Sequence, residues 1–275
     1  MPALQSCNLK ADRVVVEDHR IQTGHGALHA RLWRPKKTRS EAPTIILFHD
    51  SLGSVELWRS FPAELAEATG YPVLAYDRLG FGASDANPRE LDANFMRDEA
   101  QTAIPALRSQ LGISRFIAFG HSVGGAMAVA SAAAFPQDCV AVITEAAQAF
   151  VEDRTAAGVR EAKVQFADPA QIERLARYHG DKARWVVDAW TGTWLAPWFA
   201  GWTIESLLAG GRCPVLALHG DSDEFGSEEH PRRISAAPSG KGEMLMIAKC
   251  GHVPHREQPQ IVLKAVSGFL ARGGL

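Results

Sequence analysis

The sequence predicts an α/β fold, a mostly parallel sheet flanked by helices with a helical segment inserted late in the chain. Three observations predict it. Short runs rich in β-branched and apolar residues recur along the chain with helix-like segments between them. Those runs are near-continuously apolar, as strands buried on both faces require. The 275 residues, 46% hydrophobic and 22% charged, have the make-up of an ordinary globular protein with ample material for a core.

In order along the chain, Arg13 to Glu17 and Leu28 to Trp33 alternate enough to pair as an antiparallel hairpin ahead of the first buried strand, Thr44 to His49. Phe61 to Thr69 has helical spacing, and Val73 to Tyr76 is the next strand. Asn94 to Leu111 is a helix, Arg115 to Phe119 a strand, Val123 to Phe135 a helix of small residues, and Val140 to Thr144 a strand. The rhythm then breaks. From Ala146 to Gly211 no buried strand is evident, but Pro169 to Tyr178 and Lys182 to Trp190 are helix-forming. Pro214 to His219 and Glu243 to Ile247 resume the strands, and Gln258 to Arg272 closes the chain as a helix. The expected organisation is one core, residues 1–145 and 212–275, carrying a helical cap at residues 146–211.

Composition excludes several function classes. A formal net charge of −2 gives no electrostatic basis for binding nucleic acid, which rests on clustered Lys and Arg. Cys7, Cys139, Cys213 and Cys250 are far apart and never in a CxxC pair, so they read as free thiols in a reducing compartment rather than zinc ligands or a disulfide framework. Met1 to Arg20 lacks the basic-then-apolar pattern of a secretory signal, and no run approaches the ~18–20 apolar residues of a membrane span. A cytoplasmic location is expected. The oligomeric state is left open, a homodimer included.

The chemistry-bearing signal is Gly120-His121-Ser122-Val123-Gly124, placed between the strand RFIAF and the small-residue helix. A G-x-S-x-G at a strand-to-helix turn has a mechanical meaning. The turn is so tight that only small neighbours fit, and it pushes the serine hydroxyl clear of the sheet. The helix starting at Val123 aims backbone N–H groups and its positive dipole end at the place where an oxyanion would form. A serine hydroxyl needs a base, and the base an orienting acid. Acid and base candidates follow in loops at the carboxyl ends of the two late strands: Asp221, Asp223 and Glu224 after PVLALH, then His252 and His255 after EMLMI. In open α/β sheets that edge is where ligands bind.

From about Leu28 to Leu270 the chain resembles the α/β-hydrolase fold superfamily. The resemblance is carried by His49-Asp50-Ser51-Leu52-Gly53-Ser54, similar to an H-G-x-x-G segment, by Asp77-Arg78-Leu79-Gly80-Phe81-Gly82-Ala83-Ser84, similar to D-x-x-G-x-G-x-S, and by the serine turn itself. It implies an α/β-hydrolase fold with an inserted helical cap and a catalytic triad of Ser122, Asp223 and His252, the last two by match to H-G-x-x-D and G-H-x-P. Rivals stand beside that assignment. Asp221 is a turn residue or the acid, Glu145 follows the strand where some members carry their acid, and His255 competes as base. His49, His121 and His219 read as structural hydrogen-bonding groups. The implied oxyanion donors are the N–H groups of Ser51 and Val123. Asp50 replaces the family's usual glycine, which leaves the backbone of that loop in question because glycine reaches φ > 0 more readily. Epoxide hydrolases and haloalkane dehalogenases use an Asp nucleophile, and Ser122 argues against both.

Five of the seven tryptophans lie between Trp185 and Trp202, and Trp190, Trp194, Trp198 and Trp202 recur every fourth residue. They anchor the cap or line an apolar pocket, and Trp190, Trp194 and Trp58 are the substrate-binding candidates. The expected activity is cleavage of a carboxylic ester or lactone of a small apolar or aromatic substrate through an acyl-enzyme, with no cofactor and no metal. The same triad also serves C–C bond hydrolysis, perhydrolysis, lyase chemistry and acyl transfer. A non-catalytic ligand receptor is the alternative outside enzymes.

Overall fold

The computed structural model describes residues 13–37, 42–236 and 241–274; Cys7 lies outside the described residues. Among the described residues eight strands form one sheet in the order β1-β2-β4-β3-β5-β6-β7-β8. β1 (Val14–Thr23) and β2 (Gly26–Pro35) pair antiparallel, and β2 pairs antiparallel with β4 (Val73–Tyr76). From there on the pairing is parallel, through β3 (Thr44–Phe48), β5 (Phe116–His121), β6 (Cys139–Glu145), β7 (Val215–Gly220) and β8 (Gly242–Ile247). The hairpin is roughly twice as long as the alternation suggests. β1 is an edge strand whose residues are largely exposed, so Asp18, His19 and Arg20 break the apolar pattern without breaking the ladder.

Central strands bury both faces, and their side chains alternate between two cores. Ile46 and Phe48 of β3 point to one layer, with Ala103, Ile104 and Leu107 of α2 (Phe95–Leu111) and Ala126, Met127 and Ala130 of α3 (Val123–Ala134). Ile45 and Leu47 point to the other, with Phe61 and Leu65 of α1 (Phe61–Thr69) and Val262, Val266 and Phe269 of α10 (Pro259–Arg272). This two-sided demand explains why those strands are near-continuous apolar runs.

Between β6 and β7 lie α4 (Asp153–Gln165), α5 (Pro169–His179), α6 (Ala183–Trp194) and α7 (Glu205–Leu208). α5 starts where Asp168 caps it, the carboxylate accepting from Ala170 N at 2.9 Å, with Pro169 at the first helical position. α6 stops at Trp194, and Pro197 follows in irregular chain, so the four-residue tryptophan spacing does not continue as one helix stripe. Trp194, Phe199, Ile204 and Leu207 join the core layer of α2 and α3, which fastens this segment over the carboxyl ends of the strands. α8 (Glu229–Ser235) follows β7, and the short α9 (Pro254–Glu257) follows β8. Among the described residues no helix is long and apolar enough to cross a membrane.

Candidate active site

Ser122 sits where β5 meets α3, at φ 55° and ψ −126°, a conformation that L-residues adopt only when their surroundings impose it. Its N–H donates to Glu145 O at 2.8 Å, and its own carbonyl accepts from Gly125 N at 2.9 Å. The flanking glycines are steric requirements. A Cβ on Gly120 would stand 2.0 Å from Gly124 O, one on Gly124 2.1 Å from Phe48 O, and one on Gly125 2.4 Å from the Ala147 methyl. The strand-turn-helix reading of the motif therefore has a geometric basis here.

The loops after β7 and β8 bring the two predicted partners to this turn. His252 Nε2 lies 3.1 Å from Ser122 Oγ, and His252 Nδ1 lies 2.9 Å from both Asp223 Oδ1 and Oδ2. Asp223 is also held by Phe225 N at 2.8 Å and faces His219 Nε2 at 3.3 Å. Burial alone would lower the pKa of His252, but the hydrogen bond and charge of Asp223 outweigh it and raise the pKa above its ordinary 6.5. Burial likewise pushes Asp223 up, and its bonds with His252 more than reverse this, leaving it below 3.8.

The rival residues fall elsewhere. Asp221 is exposed and is occupied by Ser222 Oγ at 2.8 Å and Cys250 N at 3.4 Å. Glu145 is fully buried and binds His255, accepting from its backbone N–H and from Nδ1, the latter at 3.0 Å. These two rivals thus form a second carboxylate–imidazole pair behind the first. His121 bridges the two, its Nε2–H donating to the His252 carbonyl at 2.7 Å while its ring lies 5.1 Å from that of His255. Burial lowers the pKa of His121 to about 4, so it is neutral at ordinary pH.

Above Ser122 is a cavity of about 150 Å³, walled by Ser51, Leu52, Gln148, Thr155, Val159, Trp190, Trp194 and Phe225 and reaching Asp50 and His252. Among the described residues its walls carry no Lys or Arg. Of the three tryptophan candidates, Trp190 and Trp194 line it and Trp58 does not. The 3₁₀ turn Val55–Trp58 swings Trp58 into the other core layer, where it packs on Phe61 (6.1 Å), Phe119 (6.3 Å) and His255 (4.6 Å). Sequence reasoning misses Gln148, whose Oε1 lies 3.4 Å from Ser122 Oγ, and Phe225, whose ring lies 4.8 Å from that of His252. Nothing in their local sequence marks them. Their place follows from loops converging at the sheet edge.

The loop after β3 settles the question raised by Asp50. Among the described residues the non-glycine positions with positive φ are Arg59, Ser122, Ala146 and Lys249, so Asp50 needs no left-handed backbone. Glycine is favoured instead at Gly53, where a Cβ would stand 2.7 Å from His49 Cβ and 3.0 Å from Asp50 N, besides displacing the Asp50 carboxylate. Ser51 and Val123 border a small void of about 10 Å³ beside the Ser122 cavity, and among the described residues neither amide donates to another protein group. Two free N–H groups next to a serine hydroxyl suit a developing oxyanion. Among the described residues no group of three or more His, Cys, Asp or Glu is placed to hold a metal ion.

A serine on a tight strand-to-helix turn, with an acid and a histidine from the next strand ends, on a sheet of this order, defines the α/β-hydrolase fold. The sequence model described as the alpha/beta hydrolase family matches residues 45–265, and the chain belongs to that family. Human 1-acylglycerol-3-phosphate O-acyltransferase ABHD5 is 30% identical over 122 residues, which are 44% of this chain and 33% of that protein. The match thus spans about a third of the length of this curated relative. Among solved structures, proline iminopeptidase of Mycobacterium smegmatis superposes with a TM-score of 0.71 at 19% identity, over 94% of this chain and 98% of that one. The 2-hydroxy-6-oxo-6-phenylhexa-2,4-dienoate hydrolase of Rhodococcus sp. strain RHA1 superposes at 0.73 with 17% identity, over 94% and 99%. These structural likenesses speak for the fold.

Proposed function

We propose that this protein is a serine hydrolase that cleaves a carboxylic ester or lactone with a small apolar or aromatic acyl group. The observation that carries this reading is the continuous hydrogen-bonded line from Ser122 Oγ through His252 to Asp223, opening into a cavity walled by Trp190, Trp194 and Val159. In this reading Asp223 holds the Nδ1–H of His252, so Nε2 is free to take the proton of Ser122 as Oγ bonds to the acyl carbon. The carbonyl π electrons move to the oxygen, which rests against the Ser51 and Val123 amides. Collapse of the tetrahedral intermediate breaks the bond to the leaving alcohol, which receives the proton from His252. A water, deprotonated by His252, then attacks the acyl-enzyme, and collapse returns the proton to Ser122 and frees the acid. The cap over the strand ends, residues 146–211, supplies the acyl pocket.

Labelling with a fluorophosphonate tests the nucleophile. Wild type is expected to label covalently and Ser122→Ala not at all, and a folded wild type that does not label removes the reading. Because the cavity walls offer no cation, phenyl and short aliphatic esters are expected to be cleaved faster than dicarboxylate esters. Faster cleavage of the charged series overturns the assignment of the acyl group. The Rhodococcus structure is named as a dienoate hydrolase, so a ring-cleavage dienoate belongs in the same panel. Turnover of that substrate without turnover of esters replaces the ester reading with C–C hydrolysis.

The base must be neutral to act, and the pKa of His252 lies above 6.5. The value of kcat/KM is therefore expected to rise with pH through a midpoint above 6.5. A profile flat from about pH 5 to about pH 8 would remove His252 from the base role.

A further inference from the structure

Arg78 lies almost fully buried, 4% exposed, and among the described residues its direct hydrogen-bond partners are His49 and the Asp50 carbonyl rather than a carboxylate. Its guanidinium stacks on Phe81 at 4.0 Å, its Nε has no hydrogen-bond partner among the described residues, and it borders the same small void as Ser51 and Val123. The charges of Glu99 and Asp50 act on it only from beyond direct contact, and burying a cation without a contacting carboxylate is expensive, so its retention beside that void calls for a physical reason.

The contact that supplies one is Arg78 Nη2 donating to the carbonyl of Asp50 at 2.8 Å. His49 Nδ1 donates to the same oxygen at 2.8 Å. The tautomer follows from the opposite side of the ring, where His49 Nε2 accepts the Arg78 backbone N–H at 3.2 Å, leaving the proton on Nδ1. Burial first, and the charge of Arg78 second, hold the pKa of His49 well down, so the ring is a neutral donor. Two donors, one of them charged, thus grip a single carbonyl oxygen. That carbonyl belongs to the same peptide unit as the Ser51 N–H. The chain has no cis peptide among the described residues, and in a trans peptide C=O and N–H point in opposite directions.

We infer that Arg78 is a positioning residue for catalysis: by clamping the Asp50 carbonyl it aims and polarises the Ser51 N–H toward the oxyanion. The inference rests on the serine hydrolase reading above. A cation on the carbonyl end of a peptide withdraws electron density from its nitrogen, which makes the N–H a stronger donor. The benefit is felt where negative charge develops, so it belongs to the transition state more than to the bound substrate. It also accounts for Asp50 in place of glycine, since the loop is fixed through a backbone carbonyl that any residue provides.

The test compares wild type, Arg78→Met and Arg78→Lys in ester turnover and in binding of a trifluoromethyl ketone, whose hemiketal oxyanion occupies the same place. Arg78→Met is expected to lower kcat by about 10–100-fold and ketone affinity by a similar factor, with KM within about threefold of wild type. Arg78→Lys keeps the charge and is expected to recover part of both losses. Thermal melts identify a variant that does not fold, and if Arg78→Met is one, the parallel fall of kcat and ketone affinity is read in Arg78→Lys alone. Wild-type kcat and ketone affinity in a folded variant overturn the inference, as does a loss of KM and kcat with ketone affinity intact. A wild type that neither labels with fluorophosphonate nor binds the ketone overturns the serine hydrolase reading itself and this inference with it, whereas a reactive wild type with indifferent Arg78 variants overturns this inference alone.

Discussion

Asp223→Asn is expected to lower kcat about ten-thousand-fold with KM little changed, while Asp221→Asn stays within a few-fold of wild type. The size comes from the analogous change in a serine protease, where the amide leaves the geometry intact but presents the wrong tautomer of histidine to the serine. Here Asp223 meets His252 Nδ1 with both oxygens at 2.9 Å, and Phe225 N already occupies Oδ1 at 2.8 Å. An asparagine oriented to satisfy Phe225 would direct its NH2 at His252, which forces Nδ1 to accept and moves the proton to Nε2, where it blocks the abstraction from Ser122. Asp221 makes no such contact and faces solvent. Steady-state rates of the two variants on one ester separate the candidates; equal losses would mean that the loop as a whole, rather than one carboxylate, positions the histidine.

The same pair has a signature in stability. Asp223 is lowered from 3.8 and His252 raised from 6.5. The carboxylate's contribution is present above 3.8 and is lost as pH falls through its folded value. The imidazolium's contribution is complete below 6.5 and is lost as pH rises through its folded value. The ion pair therefore stabilises the fold most between those two ordinary values, on the acidic side of the range in which the site is active.

How far the site is legible in the sequence depends on where each residue sits relative to the sheet. Ser122 is legible because its turn is sterically exacting: Gly120, Gly124 and Gly125 face atoms that leave no room for a methyl group, so the requirement is written into adjacent positions. The central strands are legible because burial on two faces demands continuous apolar runs. β1 is only half legible, since an edge strand tolerates charged residues throughout its length. Trp58 illustrates the limit. It is the seventh residue after Ser51, yet one 3₁₀ turn sends its ring to the α1 side of the sheet, and no local pattern records that direction. Gln148, Phe225 and Arg78 depend on which loops converge in space. Of these, Arg78 lies within a motif already singled out for its glycines, but the carbonyl that it clamps is 28 residues away.

The second large effect is expected at Glu145, and it falls on stability rather than on chemistry. Glu145→Ala is expected to destabilise the fold by about 3–5 kcal/mol, the usual loss when one member of a buried hydrogen-bonded ion pair is removed. At roughly 2–4 °C per kcal/mol for a chain of this size class, a thermal melt reads the loss directly. Glu145 is fully buried and its carboxylate receives both the backbone N–H and Nδ1 of His255, so its removal strands two donors where water does not reach. Burial pushes its pKa up, and the charge and hydrogen bonds of His255 more than reverse this, leaving it below 4.5. Its contribution is therefore present above 4.5 and lost as pH falls through the folded value, so the gap in melting temperature between wild type and variant should close on acidification. Activity should fall far less than in Asp223→Asn, because the Glu145 carboxylate makes no contact with the His252 ring and acts on it through the His255 loop and His121. Were Glu145 the acid of the triad the pattern would invert, with kcat collapsing in Glu145→Gln while the melting temperature barely moved. Rates and melts on the two carboxylates thus decide which of the two buried carboxylate–imidazole pairs serves the serine and which one holds up the loop that carries His252.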